Sequence, residues 1–104
     1  MFVIIGKASI AKKPRFVCVM VSSWKDGSPN NDPACIIRKG EHPFIQWDSY
    51  IAYRETSLFS EEQILLNIKK SYERVSDDLL RRITEGAFTS RRMHMMYLDF
   101  IKRV

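Results

Sequence analysis

The sequence predicts an α+β protein in which a small, curled antiparallel sheet is followed by three short helices. Three observations carry that expectation. The first half holds several short β-branched or aromatic runs separated by turn residues, with no room for helical crossovers. After Tyr53 the apolar spacing changes to that of amphipathic helices. A chain of 104 residues, 45% apolar and 28% charged, also matches one hydrophobic core in size and composition. Residues 1–104 are therefore read as a single domain, 1–53 mainly β barrel and 60–104 mainly helical.

Residues 2–5 are apolar and β-branched, and read as a strand. Lys12, Lys13 and Pro14 make residues 7–14 a basic connection that the proline should keep out of regular structure. Residues 16–21 are six consecutive apolar residues with three valines and turn signals on both sides, which favours a buried central strand. Residues 22–33 contain two prolines, a glycine and many short polar side chains, a loop suited either to binding or to a plain surface excursion. Residues 35–37 resume a strand, 38–41 turn, and 47–53 form a half-alternating aromatic stretch able to pair again.

In the second half, Ser60 and Gln63 form a capping-box pattern, with Ile64, Leu65, Ile68 and Tyr72 on one helical face. Ser76-Asp77-Asp78 marks a second start, Leu79, Leu80 and Ile83 its apolar face, and Gly86 its terminator. A third helix is expected to begin after Ser90 and run close to the end. Its broad apolar face would hold Met93, Met96, Tyr97, Phe100, Ile101 and Val104, with Arg92, Asp99 and Arg103 on another stripe.

The net charge of +5 is spread along the chain and modestly favours nucleic acid or an acidic partner. Cys18 and Cys35 lack metal-ligand or CxxC spacing, and each lies in an apolar run, so both are expected to be buried free thiols. No apolar segment approaches the roughly 20 residues that cross a bilayer. The N-terminal segment lacks a signal-peptide pattern, so a cytoplasmic protein without membrane contact is expected. HExxH, GxGxxG and P-loop patterns are missing, and no metal or cofactor is expected.

Several residues remain as candidates. His42, in Glu41-His42-Pro43 beside a turn, could act as an acid or base oriented by Glu41, or serve a structural hydrogen bond. His94 reads as a boundary residue of the last helix. Ser22 and Ser23 follow the central strand and could contact phosphate, with Lys25, Arg38 or Lys39 neutralising charge and Trp24 stacking on a base. The bland reading of the same rim is a solvated loop. Met93, Met95 and Met96 read mostly as core filling, and Arg81-Arg82 and Arg91-Arg92 as charged helix exteriors or a patch for an acidic partner.

Ala34-Cys35-Ile36-Ile37, Gly40-Glu41-His42-Pro43-Phe44-Ile45 and Ser49-Tyr50-Ile51-Ala52-Tyr53 resemble segments of the small bacterial MazF/PemK-like toxins. Val75-Ser76, Leu79-Leu80, Ile83, Gly86-Ala87 and Ser90 resemble the helical tail of that group, so the resemblance covers about residues 16–90. It implies an SH3-like barrel decorated by helices, often a homodimer. The better-known relatives are metal-independent endoribonucleases that cut single-stranded RNA and are neutralised by an antitoxin. Their catalytic pair, an arginine in an early loop and a hydroxyl residue past the next strand, would fall on Arg15 and on Ser22 or Ser23. Lys12 and Lys13 would be substitutes from the same loop, with His42 a further acid or base. The Gly-Asp-aromatic opening of those toxins is missing. The rival expectation is a non-catalytic interaction module of the same fold, holding a protein through residues 24–33 or the methionine-containing helix.

Overall fold

A computed structural model describes residues 1–70 and 75–101. Its first two strands, β1 (Phe2–Ile10) and β2 (Lys13–Ser23), form one long antiparallel hairpin. The turn is two residues long, Ala11 and Lys12, both with positive φ of 53° and 66°. That backbone hand matches the right-handed twist of the flanking strands, although neither residue is the glycine or asparagine that usually adopts it.

Residues 7–14 are therefore not an irregular connection. Lys7 pairs with Phe16, Ala8 with Arg15, Ser9 with Pro14 and Ile10 with Lys13. Pro14 is accommodated near the start of β2, one residue beyond the Arg15–Ser60 pair that ends the ladder on the other side. There its missing N–H spares the central ladder.

β3 (Ile36–Ile37) and β4 (Ser49–Ser60) complete a curled half-barrel with strand order β1-β2-β4-β3, every neighbouring pair antiparallel. The α+β class and the barrel-like sheet followed by helices agree with the expectation from sequence. The β region is longer than residues 1–53, because β4 continues to Ser60. It first pairs Ser49 to Ala52 with Ser23 to Met20, then Ser57 to Ser60 with Cys18 to Arg15. Residues 53–56 stand opposite Val19 alone, a bulge that the Thr56 hydroxyl closes by donating to the Tyr53 carbonyl at 2.6 Å. The helical spacing expected after Tyr53 therefore begins only at Glu61, past the bulge and the end of β4. The turn expected at 38–41 is present, and the strand expected at 47–53 begins only at Ser49. The segment between is tied by Ile45 N to the His42 carbonyl at 2.9 Å and Gly40 N to the Ile45 carbonyl at 3.1 Å.

The run at residues 16–21 is the buried central strand expected, with Val17, Cys18 and Val19 fully excluded from solvent. Ile37, Ile51, Tyr53 and Ile83 join it in the core. Full burial of an aliphatic side chain of this size stabilises by about 1.5–3 kcal/mol relative to exposure, so this patch dominates the driving force for folding.

Both predicted helix starts are present. In α1 (Glu61–Lys70), Ser60 N donates to Gln63 Oε1 at 2.8 Å and Gln63 N to Ser60 Oγ at 3.2 Å, a complete capping box. Ile64 is buried but Leu65 is 53% exposed, so the apolar face is narrower than its spacing suggests. In α2 (Asp77–Thr89), Leu79 N donates to Ser76 Oγ at 3.1 Å. Gly86 does not end α2. It lies inside the helix, where a Cβ would stand 2.2 Å from the Tyr53 hydroxyl oxygen and 3.0 Å from Cys35 Cβ. Here glycine serves the close approach of helix to sheet.

The expected third helix shrinks to α3 (Met95–Leu98), capped by His94, whose Nδ1 accepts from Met96 N at 3.2 Å. His94 is thus a cap, not a flank of an apolar face. Of the methionine group only Met93 is buried, while Met95 and Met96 are 79% and 49% exposed. The chain then crosses β1 at Gly6, whose absent side chain leaves room for the Phe100 carbonyl. The expected roles of the Ile68 side chain, Tyr72, Arg103 and Val104 lie outside the described residues. No described helix is long and apolar enough to cross a membrane.

Candidate functional site

The bulge in β4 and the loop after β2 enclose a polar cleft of about 350 Å³. Ser22 and Ser23 line it from the end of β2, Tyr50 and residues 52–55 from β4, Lys25, Ser28, Asn30, Asn31 and Asp32 from the loop, and Arg92 from beyond α2. Each contribution has a local cause. β2 runs two residues past its apolar stretch, pairing Ser22 with Tyr50 and Ser23 with Ser49, which leaves both serines at its end. The bulge sets Arg54 and Glu55 on the exposed wall while Tyr53 and Thr56 stay buried.

The loop is ordered by its own polar side chains. Asn31 Nδ2 donates to the Lys25 carbonyl at 2.6 Å and Lys25 N to Asn31 Oδ1 at 3.2 Å, so one side-chain amide closes the loop as a strand partner would. Ser28 N donates to the Lys25 carbonyl at 2.9 Å within that closure. Asp32 is buried, its carboxylate accepting from Ala34 N at 3.0 Å and from the Ser90 hydroxyl at 2.6 Å. These bonds supply the partners a buried carboxylate requires.

Among the described residues, no hydrogen bond or ion pair engages the Ser22 and Ser23 hydroxyls or the Lys25 ammonium. Arg54 makes one long bond, Nη2 to Asn30 Oδ1 at 3.4 Å. The cleft thus offers two hydroxyls and two exposed cations beside the carboxylate of Glu55. Trp24 stands next to it, its ring edge-to-face with Tyr50 at 6.0 Å and 87°, and its backbone N–H donating to the Asp48 carbonyl at 2.9 Å.

Only part of the site expected from sequence comes together here. Ser22, Ser23 and Lys25 line the cleft, with Trp24 alongside. Arg15 lies seven residues away along β2, about 23 Å at the usual rise of a strand, and its guanidinium donates to the Pro14 carbonyl at 3.0 Å. The expected pairing of Arg15 with Ser22 or Ser23 is therefore not formed. Lys12 and Lys13 lie farther still, at the hairpin end.

Arg38 and Lys39 sit at the same end of the sheet as Ser23, since Ile37, Ser49 and Ser23 are aligned across it. Both segments converge on Asp48, whose carboxylate accepts from Lys39 N at 3.0 Å and pairs with the Arg38 guanidinium at 3.2 Å. The Lys39 amide, then Arg38, holds the Asp48 carboxyl below its ordinary range. His42 is buried at 3% exposure rather than presented at a strand edge, and its Nδ1 accepts from Phe44 N at 3.1 Å. That nitrogen shapes the turn.

Glu41 does not orient His42. It bonds Arg82, and accepts from Arg38 N at 2.5 Å. Arg82 holds the Glu41 carboxyl below its ordinary value, and Glu41 raises Arg82 in turn. Arg82 also donates to the Ile36 carbonyl at 2.7 Å, Arg81 pairs with Asp78 at 2.6 Å, and Arg92 bonds backbone carbonyls of the loop. Three arginines expected on helix exteriors are thus committed to named partners. Cys18 and Cys35 are free and buried, and burial pushes the Cys18 thiol up to about 12 and raises Cys35 as well. No cluster among the described residues could hold a metal ion.

Sequence reasoning misses Arg54 and Glu55; it takes Asn31 and Asp32 only as part of the loop at residues 24–33, and Arg92 only as a helix exterior or a patch for an acidic partner. Asn31 and Asp32 are visible there only as turn formers, and nothing local distinguishes Arg54 or Arg92 from other surface arginines. The fold and cleft together define a small α+β half-barrel protein with a hydroxyl- and cation-lined recess at one end of its sheet. Compared with protein-family models, curated proteins and solved structures, the chain finds no match in any of the three.

Proposed function

We propose that this chain binds single-stranded RNA in the cleft between β2, β4 and the loop of residues 24–35. The observation that carries the reading is the set of donors gathered there, the unengaged hydroxyls of Ser22 and Ser23 and ammonium of Lys25, with the Arg54 guanidinium held by only one long bond to Asn30. Hydroxyls and cations of this kind bind phosphate oxygens, and Arg54 can do so with its planar fork. Trp24, partly exposed beside them and set edge-to-face on the buried Tyr50, provides aromatic surface for a base. An unpaired strand fits better than a duplex, because its bases can splay out to reach aromatic side chains. The resemblance to MazF/PemK-like toxins also favours RNA.

Cleavage without metal is a further part of this reading. In transesterification the 2′-oxygen bonds to phosphorus as the bond to the 5′-oxygen breaks. Solvent can protonate the departing 5′-oxygen, and the protein must supply a base for the 2′-OH proton and a cation for the charged phosphorane. Glu55 and Arg54 meet those needs inside the cleft, whereas Arg15 and His42 stand outside it. A second reading takes the chain as a module for a protein partner, an antitoxin in the toxin-like case. Exposed Met95 and Met96 favour it, since methionine makes an adaptable apolar contact.

Fluorescence anisotropy of labelled mixed-sequence single-stranded RNA in EDTA, followed through a salt titration, tests the proposal. Binding should weaken steeply with salt, and Lys25→Ala and Arg54→Ala should each reduce the log–log slope by about 0.7. Arg15→Ala should match the parent. Absence of binding at low salt by the folded protein, or Lys25 and Arg54 variants identical to the parent, would overturn it. A gel of the same RNA reports cutting, which Arg54→Ala and Glu55→Gln should abolish if the parent cleaves.

A further inference from the structure

Arg92 lines the cleft, yet its guanidinium faces the protein's own backbone. Nη1 donates to the Asn30 carbonyl at 2.7 Å and Nη2 to the Pro29 carbonyl at 2.5 Å, more than sixty residues away in sequence. Its amide donates to Ser90 Oγ at 3.1 Å, and the same hydroxyl donates to Asp32. Two adjacent points of the loop are thereby fastened to the C-terminal end of α2, one through Arg92 and the other through Ser90 and Asp32.

We propose that Arg92 is a positioning residue for the cleft and not a phosphate contact. It holds the loop as a wall so that Lys25 and Asn30 face Ser22 and Arg54. The inference rests on the RNA-binding reading for its effect on affinity, but the clamp itself has an independent readout. A guanidinium suits this task because its fixed fork reaches two neighbouring carbonyls at once, which a lysine ammonium matches poorly. The Asn31 closure shapes the loop from within, and its inner bonds hold most firmly while the loop is tethered to α2. Arg92 and the Asp32–Ser90 bond fix where that shape sits.

Two measurements on Arg92→Ala and Arg92→Lys separate this role from direct contact. Loss of a phosphate contact lowers affinity and flattens the salt dependence together. Loss of a positioning residue should lower RNA affinity about tenfold, the worth of one charge-assisted hydrogen bond, with the salt slope unchanged. Ser90→Ala should shift affinity in the same direction. Hydrogen exchange gives the second arm. Both Arg92 variants should speed exchange at the Ser28, Asn31 and Ala34 amides about tenfold or more, while Val17 and Leu58 in the sheet keep the parent's rates.

A slope reduced by about 0.7 with loop exchange unchanged would make Arg92 a phosphate contact and overturn the proposal. Unchanged affinity with unchanged exchange would overturn it too. If the parent binds no RNA, the RNA reading falls, and the exchange rates alone decide whether the clamp exists.

Discussion

Gly86→Ala should destabilise this protein, although glycine inside a helix ordinarily costs about 1 kcal/mol relative to alanine. The new methyl carbon would stand 2.2 Å from the Tyr53 hydroxyl oxygen, 3.0 Å from Cys35 Cβ and 3.1 Å from Tyr53 Cζ. Ordinary van der Waals contact begins near 3.4 Å, so the phenol oxygen would have to move by more than 1 Å. It has nowhere easy to go. Tyr53 is 1% exposed, and its hydroxyl donates to the Ile83 carbonyl at 2.6 Å on the same helix. Overpacking of a filled core costs about 1–3 kcal/mol, and displacing the hydroxyl forfeits a bond worth about 1 kcal/mol. Against the propensity gain, the net expectation is a loss of about 1–3 kcal/mol.

Urea denaturation of the parent, Gly86→Ala, Tyr53→Phe and the double variant measures that expectation and its cause. Tyr53→Phe alone should cost about 1 kcal/mol for the lost bond. It also removes the nearest atom, so Gly86→Ala should cost at least about 1 kcal/mol less in the phenylalanine background. Additive costs would refute the proposed contact. So would a Gly86→Ala variant more stable than the parent, which would place that helix face toward solvent.

The hairpin offers an improvement. Ala11→Asn with Lys12→Gly should stabilise by about 1–2 kcal/mol, because both positions have positive φ and the present residues fit it poorly; thermal denaturation reads this directly. Both thiols should resist Ellman's reagent at pH 8 in the folded protein and react together in denaturant, since burial raises both and pushes Cys18 up to about 12. The Glu41–Arg82 pair should make stability pH-dependent. Its carboxyl is lowered on folding, so its contribution is present above the ordinary glutamate value near 4.5 and lost as pH falls through the depressed folded value. At pH 7 Glu41→Gln should cost under about 1 kcal/mol after solvent screening, and denaturation curves should show the gap closing in acid.

Features whose partners are close in sequence are legible from the residues alone. The capping box of Ser60 and Gln63 and the cap at Ser76 need only backbone amides three residues away, so their spacing is enough. The central strand at residues 16–21 is equally plain, because an unbroken apolar run must be buried on both faces. Pro14 misleads, since a proline near a strand start is tolerated where a ladder ends. Gly86 misleads as well, since a glycine that ends a helix and one that admits a neighbouring phenol look alike in sequence.

The cleft is half legible. Ser22, Ser23 and Lys25 are marked by their place just after the apolar run, but the resemblance pairs the serines with Arg15 and leaves Arg54 and Arg92 out. Which cation reaches a hydroxyl depends on the β4 bulge and on bonds that span more than fifty residues, as between Ser90 and Asp32. The class of fold, the buried thiols and the helix starts follow from the amino-acid order, since local hydrogen bonding and hydrophobic run length govern all three. Which charges share the cleft is settled only in the folded chain, because strand register and long-range pairing bring together groups whose local surroundings are ordinary.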